Sequence, residues 1–415
     1  MLKHLDKAKK IYGEYPQIFW NLIAITFIDS IGGAMLFPFF ALYLTKKFGI
    51  GMTQAGVIFA AFSISTFVGA MLGGAATDRY GRKGIIIFGL VASSLSSLAM
   101  GLVNAFEFFF MIAIFVGVLT NSAGPARRAM VADILPEEKR AQGYGIFHVA
   151  FNVSFAIGPA IGGFLASRSY LILFVTDAVI SLITAALVIR FVPETKPESN
   201  PDTPEESIAG SFKGYFRVLR DSVFMLFIAA SILMTLTYNN LDTTLGVYLR
   251  DTHSIPEAGY GWLLSLNATM VVLFQFPITR RIEKQKPLLM MAVGTLLCAI
   301  GFAMYGFVSV YSLFVLAMII LTIGEMIFSP VSQALVAKFA PEEMRGRYMA
   351  IYGISGSVSF AVGPYLGGLV LDNYDPRWLW YIAGVVGMLA VFGYLGLHRW
   401  VEANESKVPH IAAQV

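Results

Sequence analysis

The sequence predicts an all-α integral membrane protein of twelve transmembrane helices in two pseudo-symmetric six-helix bundles. Three observations predict it: scarce charge, long apolar runs along nearly the whole chain, and an internal repeat. Of 415 residues, 57% are hydrophobic and only 13% charged, against about 25% charged in soluble domains. A spanning helix needs about 20 mainly apolar residues. Such runs fall at 17–45, 54–76, 84–104, 107–130, 142–166, 170–192, 222–249, 256–280, 286–308, 310–337, 345–371 and 376–400. They leave too little polar chain to cover a soluble core of that size. Residues 124–165 align without gaps with 329–370, an offset of 205 residues. Pro136-Glu137-Glu138 recurs as Pro341-Glu342-Glu343, Ser154-Phe155-Ala156 as Ser359-Phe360-Ala361, and Gly158-Pro159 with Gly162-Gly163 as Gly363-Pro364 with Gly367-Gly368. Apolar helices share scattered Ala, Val and Gly by chance, but not such blocks at one fixed offset. The repeat reads as a parallel duplication, the arrangement transporters use to rock around a central site.

Taken in order, the first sixteen residues are polar and basic and lead into a run too long for a signal peptide, with no small-residue cleavage site. They read as the start of a retained helix. Residues 1–192 form the N-terminal bundle, 193–221 a linker and 222–415 the C-terminal bundle. The linker opens rich in Pro, Glu and Ser, as flexible linkers do. Phe212, Tyr215, Phe216 and Leu219 then fall at i, i+3, i+4 and i+7, with Lys213, Arg217 and Arg220 on other faces, which predicts an amphipathic interfacial helix. Cations gather before the first helix (Lys3, Lys7, Lys9, Lys10) and in alternate loops: Arg79/Arg82/Lys83, Arg127/Arg128/Lys139/Arg140, Arg280/Arg281/Lys284/Lys286, Lys338/Arg345/Arg347, and finally Arg399. Lys46 and Lys47 are the main exception. This bias places both termini in the cytoplasm, and the distribution of the +4 charge points to topology rather than to nucleic acid. The single cysteine, Cys298, lies within a span and offers neither a disulfide framework nor a cysteine metal site. With no metal-ligand cluster, P-loop or nucleophile–base pair, the sequence predicts no enzyme, no metal, no cofactor and no ATP-driven transport.

Between the second and third runs lies GAATDRYGRKG, residues 74–84, four charges of mixed sign in a glycine-punctuated turn. It resembles the loop between helices 2 and 3 of the major facilitator superfamily, G-x-L-[AS]-D-R-x-G-R-[KR]. Gly74, Asp78, Arg79, Gly81, Arg82 and Lys83 fit; Ala76 and Thr77 depart. The resemblance implies that Asp78 docks near Gly346–Ala350 at the start of helix 11, where a helix N-terminus favours a carboxylate. It also implies that Arg82 pairs with Asp133 at the end of helix 4. Together these form a cytoplasmic gate that breaks when the halves rock. The corresponding loop of the second half, around 279–287, keeps the cations but puts Glu283 and Pro287 at the positions of Asp78 and Arg82, so the gate is expected to be asymmetric.

Gly145, Ser154, Gly158, Pro159, Gly162 and Gly163 match the motif of the family's antiporters except that Ser154 replaces Gly. The match implies exchange; plain close packing of small residues explains the same pattern, as the copy in span eleven suggests. Charged side chains at a helix centre cost roughly 2.5–3.5 kcal/mol on insertion scales and call for a reason. Asp29 lies mid-span on a stripe with Asn21 and Gly33; Glu325 lies mid-span with Thr322, Ser329 and Gln333. In the family, helices 1, 4, 7 and 10 line the central cavity, which implies that both carboxylates face water and carry protons or contact substrate. A protonated structural carboxyl is the alternative. His148, with Asn152 one turn on, has the chemistry for proton handling. Tyr238, Asn239, Asn240 and Asp242 are candidates for substrate contact or an outer gate, and Asp177 reads as a helix-end partner. The family's drug–proton antiporters keep an Arg within helix 4, whereas this chain has no basic residue between Glu107 and Arg127.

The resemblance runs the length of the chain and is nearest the twelve-helix multidrug efflux branch. It implies a monomeric, proton-coupled antiporter in the bacterial inner membrane, driven by the proton gradient and exporting small amphipathic molecules. A lipid or lysolipid translocase and a nutrient symporter are the alternatives within transport; Pro193-Glu194-Thr195-Lys196 is only part of a signature of the sugar branch. A transport-dead receptor or scaffold is the alternative from another class.

Overall fold

The computed structural model describes residues 12–120, 123–196, 215–341 and 344–404, apart from the side chains of residues 74, 75, 78, 141 and 345. The basic residues before position 12, Phe212 and Lys213, Glu342 and Glu343, and the side chains of Gly74 and Asp78 therefore lie outside the described residues. Among the described residues there are helices and no strand. Twelve spans are long and apolar enough to cross a membrane: span 1 Gln17–Phe48, span 2 Met52–Gly73, span 3 Arg82–Leu102, span 4 Phe106–Ile134, span 5 Glu137–Arg168 and span 6 Tyr170–Phe191, then span 7 Ser222–Thr243, span 8 Glu257–Ile282, span 9 Pro287–Phe307, span 10 Tyr311–Phe339, span 11 Gly346–Asn373 and span 12 Arg377–Ala403. The chain is a multi-pass membrane protein.

The breaks have local causes. Pro38 sits in a 3-10 turn, Phe37–Phe39, that interrupts span 1. Gly81, at φ 95°, turns the helix ending at Tyr80 into span 3 within a single residue; only glycine adopts that region without strain. Extended Ser169 separates spans 5 and 6. Pro287 opens span 9, where its missing N–H costs nothing. In the linker, residues 215–219 are helical, but Val218 is the buried side chain while Phe216 and Leu219 are exposed. The predicted apolar stripe is thus not the face that packs against protein.

Two compact units form. One comprises Met1–Phe48, Ala61–Ser199 and Glu257–Ala268; the other comprises Gly49–Ala60, Asn200–Pro256 and Thr269–Val415. The units differ from a division at the linker: the start of span 2 belongs with the second, and the start of span 8 with the first. Backbone contact accounts for both exchanges. A Cβ added to Gly163 would lie 2.7 Å from the Glu257 carbonyl oxygen, and one added to Gly261 2.3 Å from that of Pro159. In the second unit, a Cβ on Gly368 would lie 2.5 Å from Met52 backbone, and the Met52 and Thr53 N–H groups donate to the Asp372 carboxylate at 2.8 Å each.

The internal repeat persists in the packing. Ser154 donates to the carbonyl of Phe27, and Ser359 to that of Ile232. Tyr43 donates to the carbonyl of Met100, and Tyr248 to that of Tyr305. Each member of a pair lies 205 positions from its counterpart, so the duplicated sequence has kept a duplicated scaffold.

Candidate functional site

In the first unit, Asp29 of span 1 and Arg127 of span 4 form an ion pair, with Arg127 Nη2 donating to Asp29 Oδ2 at 2.6 Å. Their side chains are only 18% and 16% exposed. They line a cavity of about 150 Å³ together with Gly89, Leu90 and Ser93 of span 3 and Thr120, Ala123 and Gly124 of span 4. Ala123, Ala126, Met130 and Val131 bury one face of the helix Ala123–Ile134, which fixes where Arg127 points. Arg127, grouped with loop cations by the sequence, is therefore a residue of span 4. The cavity is smaller than the roughly 300 Å³ at which small-molecule pockets begin. It suits water and a proton rather than a cargo.

In the second unit, the Tyr238 hydroxyl hydrogen-bonds the Glu325 carboxylate, and Asp242 lies within the same electrostatic neighbourhood. Span 7 supplies Tyr238 and Asp242 because its helix is interrupted at Asn239 and again at Thr244. Thr237, Ser231 and Thr235 turn their hydroxyls back onto carbonyls of the preceding turn, a bonding pattern that bends helices. Asn240 has a packing role: its amide bonds the Leu236 carbonyl and accepts from Thr244, and its Oδ1 fills the place of a Cβ at Gly367. Thr322 is buried and bonded to Met318, while Gln333 is exposed.

At the Gly81 turn, Arg82 Nε donates to Asp133 Oδ2 at 2.9 Å and its Nη1 to the Thr77 carbonyl. Glu194, which the sequence offered only as part of a sugar-branch signature, closes the turn. Its carboxylate accepts from the backbone N–H groups of Arg82, Lys83, Thr195 and Lys196. Partial burial opposes ionisation there, but the four backbone donors outweigh it and hold the carboxyl below its ordinary 4.5. Lys83 and Lys196 donate to the carbonyls of Ile189 and Arg79, so both cations serve the turn. The Arg79 guanidinium lies 5.3 Å over the Tyr80 ring.

In span 5 the glycine motif packs. A Cβ on Gly158 would lie 2.6 Å from Ala34 Cβ, and one on Gly162 2.3 Å from the Met35 carbonyl oxygen. Gly145 has nothing within 4 Å of that position. His148 is exposed and Asn152 half-buried, and neither lines the Asp29 cavity. Asp177 corrects another expectation. It is not a helix-end residue but lies in the third turn of span 6, 6% exposed, accepting from Ser97 Oγ.

Twelve spans in a duplicated scaffold, with ionisable side chains paired inside the spans, define a polytopic membrane protein. The profile of the Major Facilitator Superfamily matches residues 22–252 and 227–414, and the chain belongs to that family. It is 28% identical over 391 residues to a Na(+), Li(+), K(+)/H(+) antiporter of Planococcus maritimus, covering 87% of this chain and 91% of the relative. It is 26% identical over 374 residues to Multidrug resistance protein 2 of Bacillus subtilis (strain 168), covering 88% and 91%. Among solved structures it resembles a POT family transporter in complex with 5-aminolevulinic acid, at a TM-score of 0.77, 17% identity and coverage of 92% of this chain and 96% of that one; at that identity the likeness concerns the fold.

Proposed function

We propose that the chain is a secondary transporter working by alternating access, which couples proton entry to the export of small hydrophobic or amphipathic molecules. The observation that carries this reading is the Asp29–Arg127 pair at 2.6 Å in its small cavity. A proton arriving at Asp29 cancels the carboxylate charge and releases Arg127, so protonation converts a matched pair into a lone cation inside the bundle. Each charge moved through 100 mV releases about 2.3 kcal/mol, enough to bias which end of the transporter is open. Arg82–Asp133, braced by Glu194, then acts with Asp78 as the gate. The proton gradient is the only energy source required. Both termini lie in the cytoplasm of a bacterial cell whose inner membrane holds the protein as a monomer. The multidrug relative supports the cargo class.

Purified protein in liposomes, given an imposed pH gradient and a panel of cationic dyes, drugs and lysolipids, tests the reading. Gradient-dependent movement of at least one dye or drug is expected, and transport indifferent to the gradient across the panel would refute it. A second reading has its own observation. Glu325 is hydrogen-bonded by the Tyr238 hydroxyl and lies in the electrostatic neighbourhood of Asp242, oxygen groups being the ligand type that hard cations take, and a relative is named as a Na(+), Li(+), K(+)/H(+) antiporter. Sodium-dependent proton release from the same liposomes, lost in Glu325→Gln, would favour cation exchange over drug export.

A further inference from the structure

The first bundle holds a second carboxylate that the Asp29 mechanism leaves unused. Asp177 is deeply buried in span 6. Its Oδ1 lies 2.7 Å from where a Cβ on Gly32 would stand, so the carboxylate packs against span 1 at a position that carries no side chain. Ser97 of span 3 hydrogen-bonds Oδ2, and Asp29 of span 1 is the ionisable group whose field reaches it. Among the described residues no cation forms an ion pair with Asp177, and no ionisable side chain of span 5 acts on it. Span 3 borders both this carboxylate and the Asp29 cavity. Ser93 lines the cavity, and Ser97 follows one turn on. Between them sits Ser94, fully buried, its hydroxyl without a hydrogen-bond partner.

We propose that Asp177 is a second proton-binding carboxylate, which shares one proton with Asp29. The bundle carries two carboxylates and one guanidinium at this level, and uncompensated charge inside a membrane is strongly disfavoured. One proton on Asp177 with Asp29 paired to Arg127 is electrically neutral. One proton on Asp29 with Asp177 ionised is neutral too, so the exchange moves a proton without creating net charge.

The inference rests on the proton-coupled reading, and two measurements keep the two apart. Infrared difference spectra of the full-length protein in nanodiscs, between acidic and neutral pH, should show a protonated-carboxyl C=O band. That band should disappear in Asp177→Asn, persist in Asp29→Asn and shift in Ser97→Ala. In liposomes, Asp177→Asn should lose the proton-driven component of transport. A band unchanged in both Asp177→Asn and Ser97→Ala overturns the inference even if transport falls, because Asp177 would then only position its neighbours. Proton-driven transport with an unaltered pH profile in Asp177→Asn overturns it while leaving the proton-coupled reading standing. Wild-type transport indifferent to the gradient removes both. Should Asp177→Asn fail to fold, Asp177→Glu decides: a displaced carboxyl band supports the proposal and an unmoved one refutes it.

Discussion

Asp29 and Arg127 meet across 98 positions of sequence, and each is costly inside the membrane without the other. Breaking a buried pair strands one charge, whereas removing both does not. Asp29→Asn and Arg127→Gln should therefore each destabilise by about 3–5 kcal/mol, and the double variant should regain most of that loss in thermal unfolding in detergent. Glu194 gives a prediction in pH. Its carboxyl is held below 4.5, so its contribution is present at neutral pH and is lost as pH falls from 4.5 through the lower native value. Glu194→Gln should cost about 0.5 kcal/mol at neutral pH, the low end for an exposed helix cap. The difference from wild type should vanish in acid. Asp29 and Glu325 were legible in the sequence because a charge in an apolar run has few explanations. Arg127 was not, because it adjoins Arg128 near the end of span 4 and reads as topology. The signal was there in Ala123, Ala126 and Met130, which keep helical spacing across it. Asp177 was placed at a helix end because sequence position says nothing about what Gly32 makes room for.

Span 5 and span 11 show what an element can hide. Both carry the same glycine–proline pattern, and in both it brings backbones together: Gly162 against Met35 in one, Gly367 against Asn240 in the other. The sequence left exchange and packing open, and the close approaches give packing a physical basis at every motif glycine but Gly145. Gly158→Ala and Gly162→Ala should each cost about 1–3 kcal/mol through overpacking. Gly145→Ala, with open space around it, should be neutral or stabilise by roughly 0.5–1 kcal/mol through helix propensity. Thermal unfolding of the three variants checks the contrast; equal effects would mean that the motif acts through something other than contact.

At the scale of the molecule, the duplication holds for the scaffold and fails for the chemistry. Tyr43 and Tyr248 make equivalent bonds to carbonyls, so Tyr43→Phe and Tyr248→Phe should lose similar stability, about 1 kcal/mol each. By contrast Met234 stands at the position matching Asp29, Ser332 at that matching Arg127, and Thr120 at that matching Glu325. One unit carries the ion pair and the other the Glu325–Tyr238 pair. The twelve spans and the repeat were legible because apolar length and a fixed offset survive in one dimension. The packing of residues 49–60 with the second unit and of 257–268 with the first was not, since a continuous helix gives no sign of which neighbours each end meets. The central claim is that a proton on Asp29 drives transport. Simultaneous recording of internal pH and dye movement in liposomes, for wild type and Asp29→Asn, tests it most directly. Coupled changes in wild type and the loss of both in Asp29→Asn are expected; gradient-driven dye movement at the wild-type rate in Asp29→Asn would contradict the account.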